Sequence, residues 1–450
     1  MRLRTPGPTG PARVLCALPL FLAVVGAVGP ATAQAPAALP PATAPTRAAP
    51  APAQVLSLPE AIELALRQQP TIRSAAQGRA AAVARVPQAQ SPYYPQLDVV
   101  GSAGRSQTFS STLNQAFQSN SISALILGRQ LLYDFGKTGA LVDEARANLR
   151  FSEEELERVR DVVVVNVRQA YYQLLQAQRL VAVADAQVGR ADLNLRSAQG
   201  FFEVGTKPKS DVTKAEVEVA NARVAQIRAR NLVQFNQVNL ASTLGLEATT
   251  PLQIQDILNY EPISIDPAAL RTEALANRPE LAQARARIDA ARAQLAGAWA
   301  GYLPDLTVTG SYGAAASDPP LHEVWSITGN LSWNLFQGFF TQSRVAETQA
   351  LTDAARANYD ALELQVRLDV EQAYIAVVDA AERIAATAKA VESARENLRL
   401  AQGRYDAGVG TILDLTDAQL SLTNAEADQV RALTDHKLAL AALDRAVGRP

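Results

Sequence analysis

Apolar or small residues recur in steps of four and three along one stretch: Val366, Val370, Ala373, Val377, Ala380, Ile384, Thr387, Val391, Ala394, Leu398, Ala401, Tyr405. This spacing is a heptad seam, and it predicts a long helix that lays one narrow face along a partner. Alternate seam positions are small, so the helix axes can approach closely. At a constant offset of 203 the first half repeats the seam as Val163, Val167, Ala170, Leu174, Ala177, Val181, Ala184, Val188, Ala191, Leu195, Ala198, Phe202. Twelve matched positions indicate an internal duplication. Each seam ends in a turn and a returning helix: 138–245 forms the first helical hairpin and 340–447 the second. The ascending arm Thr138–Phe202 is about 65 residues, or roughly 100 Å if unbroken, and no soluble globular core needs that length.

Ahead of each hairpin the period changes from helical to alternating. Leu306, Val308, Gly310 and Tyr312 alternate with Asp305, Thr307, Thr309 and Ser311; Trp325, Ile327, Gly329, Leu331 and Trp333 alternate with Ser326, Thr328, Asn330, Ser332 and Asn334. These are two strands with one apolar and one polar face. A soluble sandwich has the same alternation, but two details favour a lipid-facing barrel. The polar face is continuous Ser, Thr and Asn, as in a wet lumen. Trp325 and Trp333 lie roughly 26 Å apart along a strand, matching the aromatic edges of an apolar band once the strand tilts. Tyr312 joins them as a candidate membrane-interface residue. The first copy has a weaker pair, Leu97–Gly104 and Ile122–Tyr133, the latter apolar on both faces, with Thr108–Asn120 expected as a polar loop.

Shorter helices precede the strands. Ser57 is placed to cap a helix with Pro59 in its first turn; Pro70 ends that helix and a second follows to about Gln90. The second copy repeats this around Pro279 and on to Trp299. Pro87 is expected to kink the first-copy helix or end it early. The resulting plan is a signal segment at 1–33, an Ala/Pro-rich tail at 34–55, a first repeat at 56–247 with strands at about 96–133, a Pro-punctuated connector at 248–267, and a second repeat at 268–448 with strands at about 305–336.

The first 33 residues have a basic start (Arg2, Arg4, Arg13), an apolar run Val14–Val28 and a small-residue site Ala31-Thr32-Ala33, the pattern of an export signal; an uncleaved anchor is the alternative. The only cysteine, Cys16, falls inside that run, so neither a lipid anchor nor a disulfide is expected. Formal charge is −2 and becomes about −5 once three arginines leave, which gives no basis for nucleic-acid binding. With two histidines and no nucleophile or phosphate-cradling motif, the chain is expected to be neither an enzyme nor a cofactor carrier. His322 is expected in an exposed loop and His436 packed on a helical seam. An exported chain without a further apolar run of helix length has two destinations, the free periplasm or an outer membrane crossed by strands. Four strands cannot close a barrel, so the chain must oligomerise.

The repeat order helix–strand–strand–helix–helix, the tips GFFEVGTKPKSDVTKA (Gly200–Ala215) and GRYDAGVGTILDLTDA (Gly403–Ala418), and the segment LSLPEAIELALRQQP (Leu56–Pro70) together resemble the TolC-type outer membrane efflux proteins. The resemblance covers about Leu56–Gly448. It implies a mainly helical chain with some β-structure, whose long antiparallel coiled coils build a trimeric α-barrel and whose four strands enter a twelve-stranded transmembrane β-barrel. It implies a homotrimer in outer-membrane lipid that extends into the periplasm, with a periplasmic adaptor and an inner-membrane transporter as partners. The role implied is an exit duct for efflux or type I secretion, with small amphiphilic compounds as cargo.

By the same resemblance, acids narrowing the inner aperture fall on Asp414 and Asp417. Asp211 is the first-copy counterpart of Asp414, and Lys214 stands opposite Asp417. Asp211 and Asp414 also lie at helix starts, where an acid acts as a cap, so gate and cap both stand as readings. A latch tyrosine of one family member falls on Tyr405, which is equally the last seam residue; that member's arginine partner falls on Gly410. Gly205, Gly408 and Gly410 mark the tight tips, read either as turn geometry or as an adaptor-docking surface. A coiled-coil spacer or adhesin of the envelope is the reading from another class, and it would conduct nothing.

Overall fold

In this computed structural model, residues 55–262 and 266–449 are described. The expected signal segment and all of the expected tail but Val55 lie outside them. Ser57 caps α1 (Leu58–Gln68) through a reciprocal box with Glu60. Gln69 is the one-residue hinge to α2 (Pro70–Gln90). This helix runs through Pro87 instead of ending there: the ring falls in the last turn, where only one ladder bond is forfeited. In the second copy α5 (Pro267–Asn277) and α6 (Pro279–Ala300) repeat the arrangement, again with proline opening each helix.

The two ascending arms are α3 (Lys137–Glu203) and α7 (Phe340–Asp406), each 67 residues, or about 100 Å. They return through α4 (Lys209–Thr243) and α8 (Ile412–Val447). The helices pack in the order α4–α3–α8–α7, so α4 and α7 are the outer members, while nearer the sheet α2 lies on α3 and α6 lies between α3 and α7. Eleven of the twelve seam residues of the first arm and all twelve of the second are buried or half-buried. The exception is Phe202, which is 44% exposed; Phe201 turns inward in its place. A seam can step by three or by four after Ala198, and the chain takes three.

The duplication is legible in the core. One cluster gathers Ala61, Ala65, Val163, Val167, Leu240 and Leu244. The other gathers their counterparts Leu270, Ala274, Val366, Val370, Leu443 and Val447. Arg168 with Asp444 (2.7 Å) and Arg190 with Glu426 (3.2 Å) tie α3 to α8, joining one copy to the other.

Strands β2 (Gln96–Ser110), β3 (Gln115–Tyr133), β5 (Asp305–Ala316) and β6 (His322–Ser332) make one antiparallel sheet in chain order. Two expectations change here. Most of the segment expected as a polar loop is strand: Thr108 pairs with Phe117, and only Ser111–Asn114 turn. Within it the Gln118 side chain donates across the ladder to Gln107 at 3.3 Å. His322 is exposed, but it opens β6 opposite Ala315 instead of lying in a loop.

The connector contributes β4 (Gln253–Ile254), which pairs in parallel with β1 (Val55–Leu56). The buried Tyr171 of α3 donates its hydroxyl to the carbonyls of Leu56 (3.1 Å) and Gln255 (2.8 Å), pinning that pair to the arm.

Candidate functional site: the paired hairpin tips and the aromatic ends of the sheet

Both tips close the same way. The amide of Gly205 donates to Phe202 and that of Thr206 to Phe201; in the second tip Gly408 donates to Tyr405 and Val409 to Arg404. This is the glycine-terminated helix end in which left-handed backbone reverses the chain. Gly205 (φ +77°) and Gly408 (φ +76°) supply that backbone. Gly410 does not. Its φ is not left-handed; glycine stands there because a Cβ would come within 2.9–3.1 Å of Tyr405 N, Arg404 C and Arg404 Cβ.

The other tip reaches the carbonyl of Gly410. Lys207 donates from Nζ to the Gly410 carbonyl at 3.0 Å and lies 4.8 Å from the centroid of the Tyr405 ring. Phe201 meets the same ring edge-on at 5.7 Å. Tyr405 is 0% exposed and packs with Ile412 and Leu415, so it fills the seam. Its hydroxyl has no hydrogen-bond partner among the described residues. Burial raises its pKa, with the charges of Asp211 and Asp406 adding to the effect.

The three acids differ in setting. Asp211, in the first turn of α4, is buried. Asp414 and Asp417 are exposed on one face of α8. Asp414 completes a capping box with Thr411: its amide donates to Thr411 Oγ1 at 3.1 Å and its carboxylate accepts from the Thr411 amide at 3.2 Å. Hydrogen bonding from the Thr411 side chain, and after it from the Thr411 amide, holds its carboxyl below the usual range. The first tip has no equivalent, since α4 starts after Pro208 without a side-chain cap. Lys214, opposite Asp417 in the repeat, is exposed.

At the other end of the molecule the ladder places Tyr312 directly opposite Trp325, three residues into β6. Trp333 lies one residue past the end of β6, where its indole donates to the Tyr302 carbonyl at 3.0 Å. Around this second level stand the exposed aromatics Tyr93, Tyr94, Tyr133, Phe135, Trp299 and Tyr302. Among the described residues no three His, Cys, Asp or Glu side chains gather as a metal-ligand set.

Lys207 and Phe201 were not singled out by sequence reasoning. Both lie inside the first tip motif, and the available signal was the absence of a small residue at Lys207 beside an otherwise glycine-rich partner tip.

Two duplicated helical hairpins, each headed by a strand pair that shares one open four-stranded sheet, define the outer-membrane channel class. The fold matches the outer-membrane channel OprN with a TM-score of 0.78 at 21% identity, covering 87% of this chain and 90% of that one. The outer membrane efflux protein family matches residues 61–246 and 270–449, one stretch per copy, and the chain belongs to that family of outer-membrane channel proteins. Relatives include CyaE of Bordetella pertussis, 28% identical over 413 residues (88% of this chain, 85% of CyaE), and TolC of Escherichia coli K12, 25% identical over 398 residues (84% and 79%).

Proposed function

We propose that three copies of this chain close a twelve-stranded barrel in the outer membrane and a helical tube in the periplasm. The assembly serves as the passive exit duct of a tripartite efflux or type I secretion system. Cargo and energy come from an inner-membrane transporter through a periplasmic adaptor docked at the tips, Gly205, Gly408 and Gly410. Asp414, Asp417 and Asp211 ring the inner aperture with Tyr405 packed behind them. Tyr312, Trp325 and Trp333 sit at the two lipid interfaces.

The observation that carries this reading is the open sheet. Strands β2 and β6 are its edges, and among the described residues neither outer edge is paired. In lipid each unpaired backbone group costs several kcal/mol, so the edges must meet those of other copies. One face runs Val99, Ile126, Tyr312, Trp325 across all four strands, while Thr309, Ser311, Ser326 and Thr328 lie on the other: apolar outward, hydroxyl inward. The helices leave matching gaps. The outer helix α4 exposes Val217, Val224, Phe235 and Val238, and the outer helix α7 exposes Leu364, Leu368 and Ile375, stripes that need a neighbouring copy.

The test is mass measurement of the purified protein in detergent, with conductance in planar bilayers, alongside gene deletion and a panel of dyes, detergents, metals and secreted proteins. A conducting trimer is expected, with sensitisation to at least one toxic class or loss of a secreted protein. A monomer indifferent to lipid overturns the reading.

A further inference from the structure

One row of the sheet's hydroxyl face, the inner wall in the duct reading on which this inference rests, breaks the polar pattern. The register places Val100 opposite Leu125, Leu125 opposite Gly313, and Gly313 opposite Val324, one residue from each strand on the same face. The row on one side is Ser102, Ser123, Ala315 and His322; the row on the other is Asp98, Leu127, Ser311 and Ser326. Hydroxyl pairs bracket the apolar row, Ser102 with Ser123 and Ser311 with Ser326, each at 2.8 Å. Val100 is 40% exposed, Leu127 36% and Val324 38%, and Leu125 is half-buried.

Gly313 shapes the row. A Cβ there would overlap the Ala124 carbonyl, so the position stays bare between Leu125 and Val324. The result is a notch floored by backbone and walled by two branched aliphatic side chains. Its neighbours in sequence, Tyr312 and Trp325, form the aromatic pair on the opposite face, so the notch lies at the level of that pair, toward the loop end of the sheet. Inside a closed barrel this wall meets only water and whatever passes through. We infer that Val100, Leu125, Gly313 and Val324, with Leu127, form an apolar subsite. It takes the hydrocarbon body of a small amphiphile in transit while the serine rows and Asp98 face its polar part. The subsite is repeated in each copy, and it is shallow, as conduction requires: favourable enough to enter and weak enough to leave.

The test uses Ser326→Cys in a Cys16→Ser background, purified into lipid vesicles, with the rate of thiol modification by a trimethylammonium methanethiosulfonate as readout. The cysteine is expected to react from water. Saturating tetrabutylammonium is expected to slow the reaction at least about threefold, and tetramethylammonium, of equal charge but without the hydrocarbon, to leave it unchanged. Adding the isosteric pair Val100→Thr and Val324→Thr is expected to abolish the slowing. Equal effects of the two cations, no slowing, or slowing that survives the threonine pair overturns the subsite. A cysteine unreactive from water overturns the wet-wall reading itself, and with it the subsite, and so separates the two failures. If Ser326→Cys does not assemble, Thr328→Cys, on the same face, carries the same measurement.

Discussion

Lys207 of the first tip donates to the carbonyl of Gly410 in the second at 3.0 Å and caps the Tyr405 ring at 4.8 Å, so one side chain clasps the two hairpins of a single chain. The clasp has two holds, the Gly410 carbonyl and the face of the buried Tyr405 ring. A part-buried cation on an aromatic face contributes about 1–2 kcal/mol, enough to change the ratio of two tip arrangements by roughly tenfold. Lys207→Ala is therefore expected to raise single-channel conductance or open time in planar bilayers, with Lys207→Arg close to the parent. Unchanged traces for Lys207→Ala exclude a role for the clasp in closure.

The acids of the second tip can be separated into cap and aperture. Thr411→Ala removes the cap and leaves the charges; it is expected to cost about 1 kcal/mol of stability, read as a lower thermal midpoint, without changing conductance. Asp414→Ala with Asp417→Ala is expected to raise conductance. If the double variant conducts like the parent, the acids serve the helix end alone.

His436 is 3% exposed, meets Tyr260 edge-on at 5.2 Å, and has a buried Nδ1 without a partner among the described residues. Burial, and after it the charge of Lys437, lowers its pKa. Because the folded value lies below the unfolded one, the unfolded chain binds the proton more readily. Stability is then full above about pH 6.5 and falls as pH drops from there toward the lower folded value. His436→Leu is expected to flatten that limb in urea unfolding measured between about pH 7 and 5. An unaltered slope would assign the acid sensitivity to other groups.

Gly313→Ala is expected to abolish assembly of the proposed trimer, because the added methyl meets the backbone carbonyl of Ala124, not a side chain that can rotate away. Gly329→Ala, in the neighbouring strand with nothing within 4 Å of the added carbon, is the control and should assemble normally in semi-native gels.

Much of the fold was legible because it rests on periodicity. The seam through Val366 and Tyr405 and its copy through Val163 locate both arms to within a residue or two, and the alternation around Trp325 locates β6. What escaped depends on choices periodicity leaves open. Phe201 and Phe202 are both apolar and both allowed by a step of three or four. Thr108–Asn120 has a loop's composition, yet its backbone pairs across a ribbon, where Ser and Gln serve as well as Val. Tyr171 and the short β1–β4 pair join residues far apart in sequence through backbone carbonyls, which carry no side-chain signature. At the tips, the motif showed which residues are there, but the meeting of Lys207 with Gly410 required both hairpins in three dimensions.

The two helix starts at the tips are unequal: α8 begins on a reciprocal Thr411–Asp414 box, whereas α4 begins behind Pro208 with no side chain over its first amides. Deuterium uptake should accordingly start in the first turn of α4 while the matching turn of α8 is still protected. A chain built by copying one unit has thus become mechanically lopsided, with one stiff fingertip and one pliant one, and any deformation at that end of the molecule begins in the pliant finger.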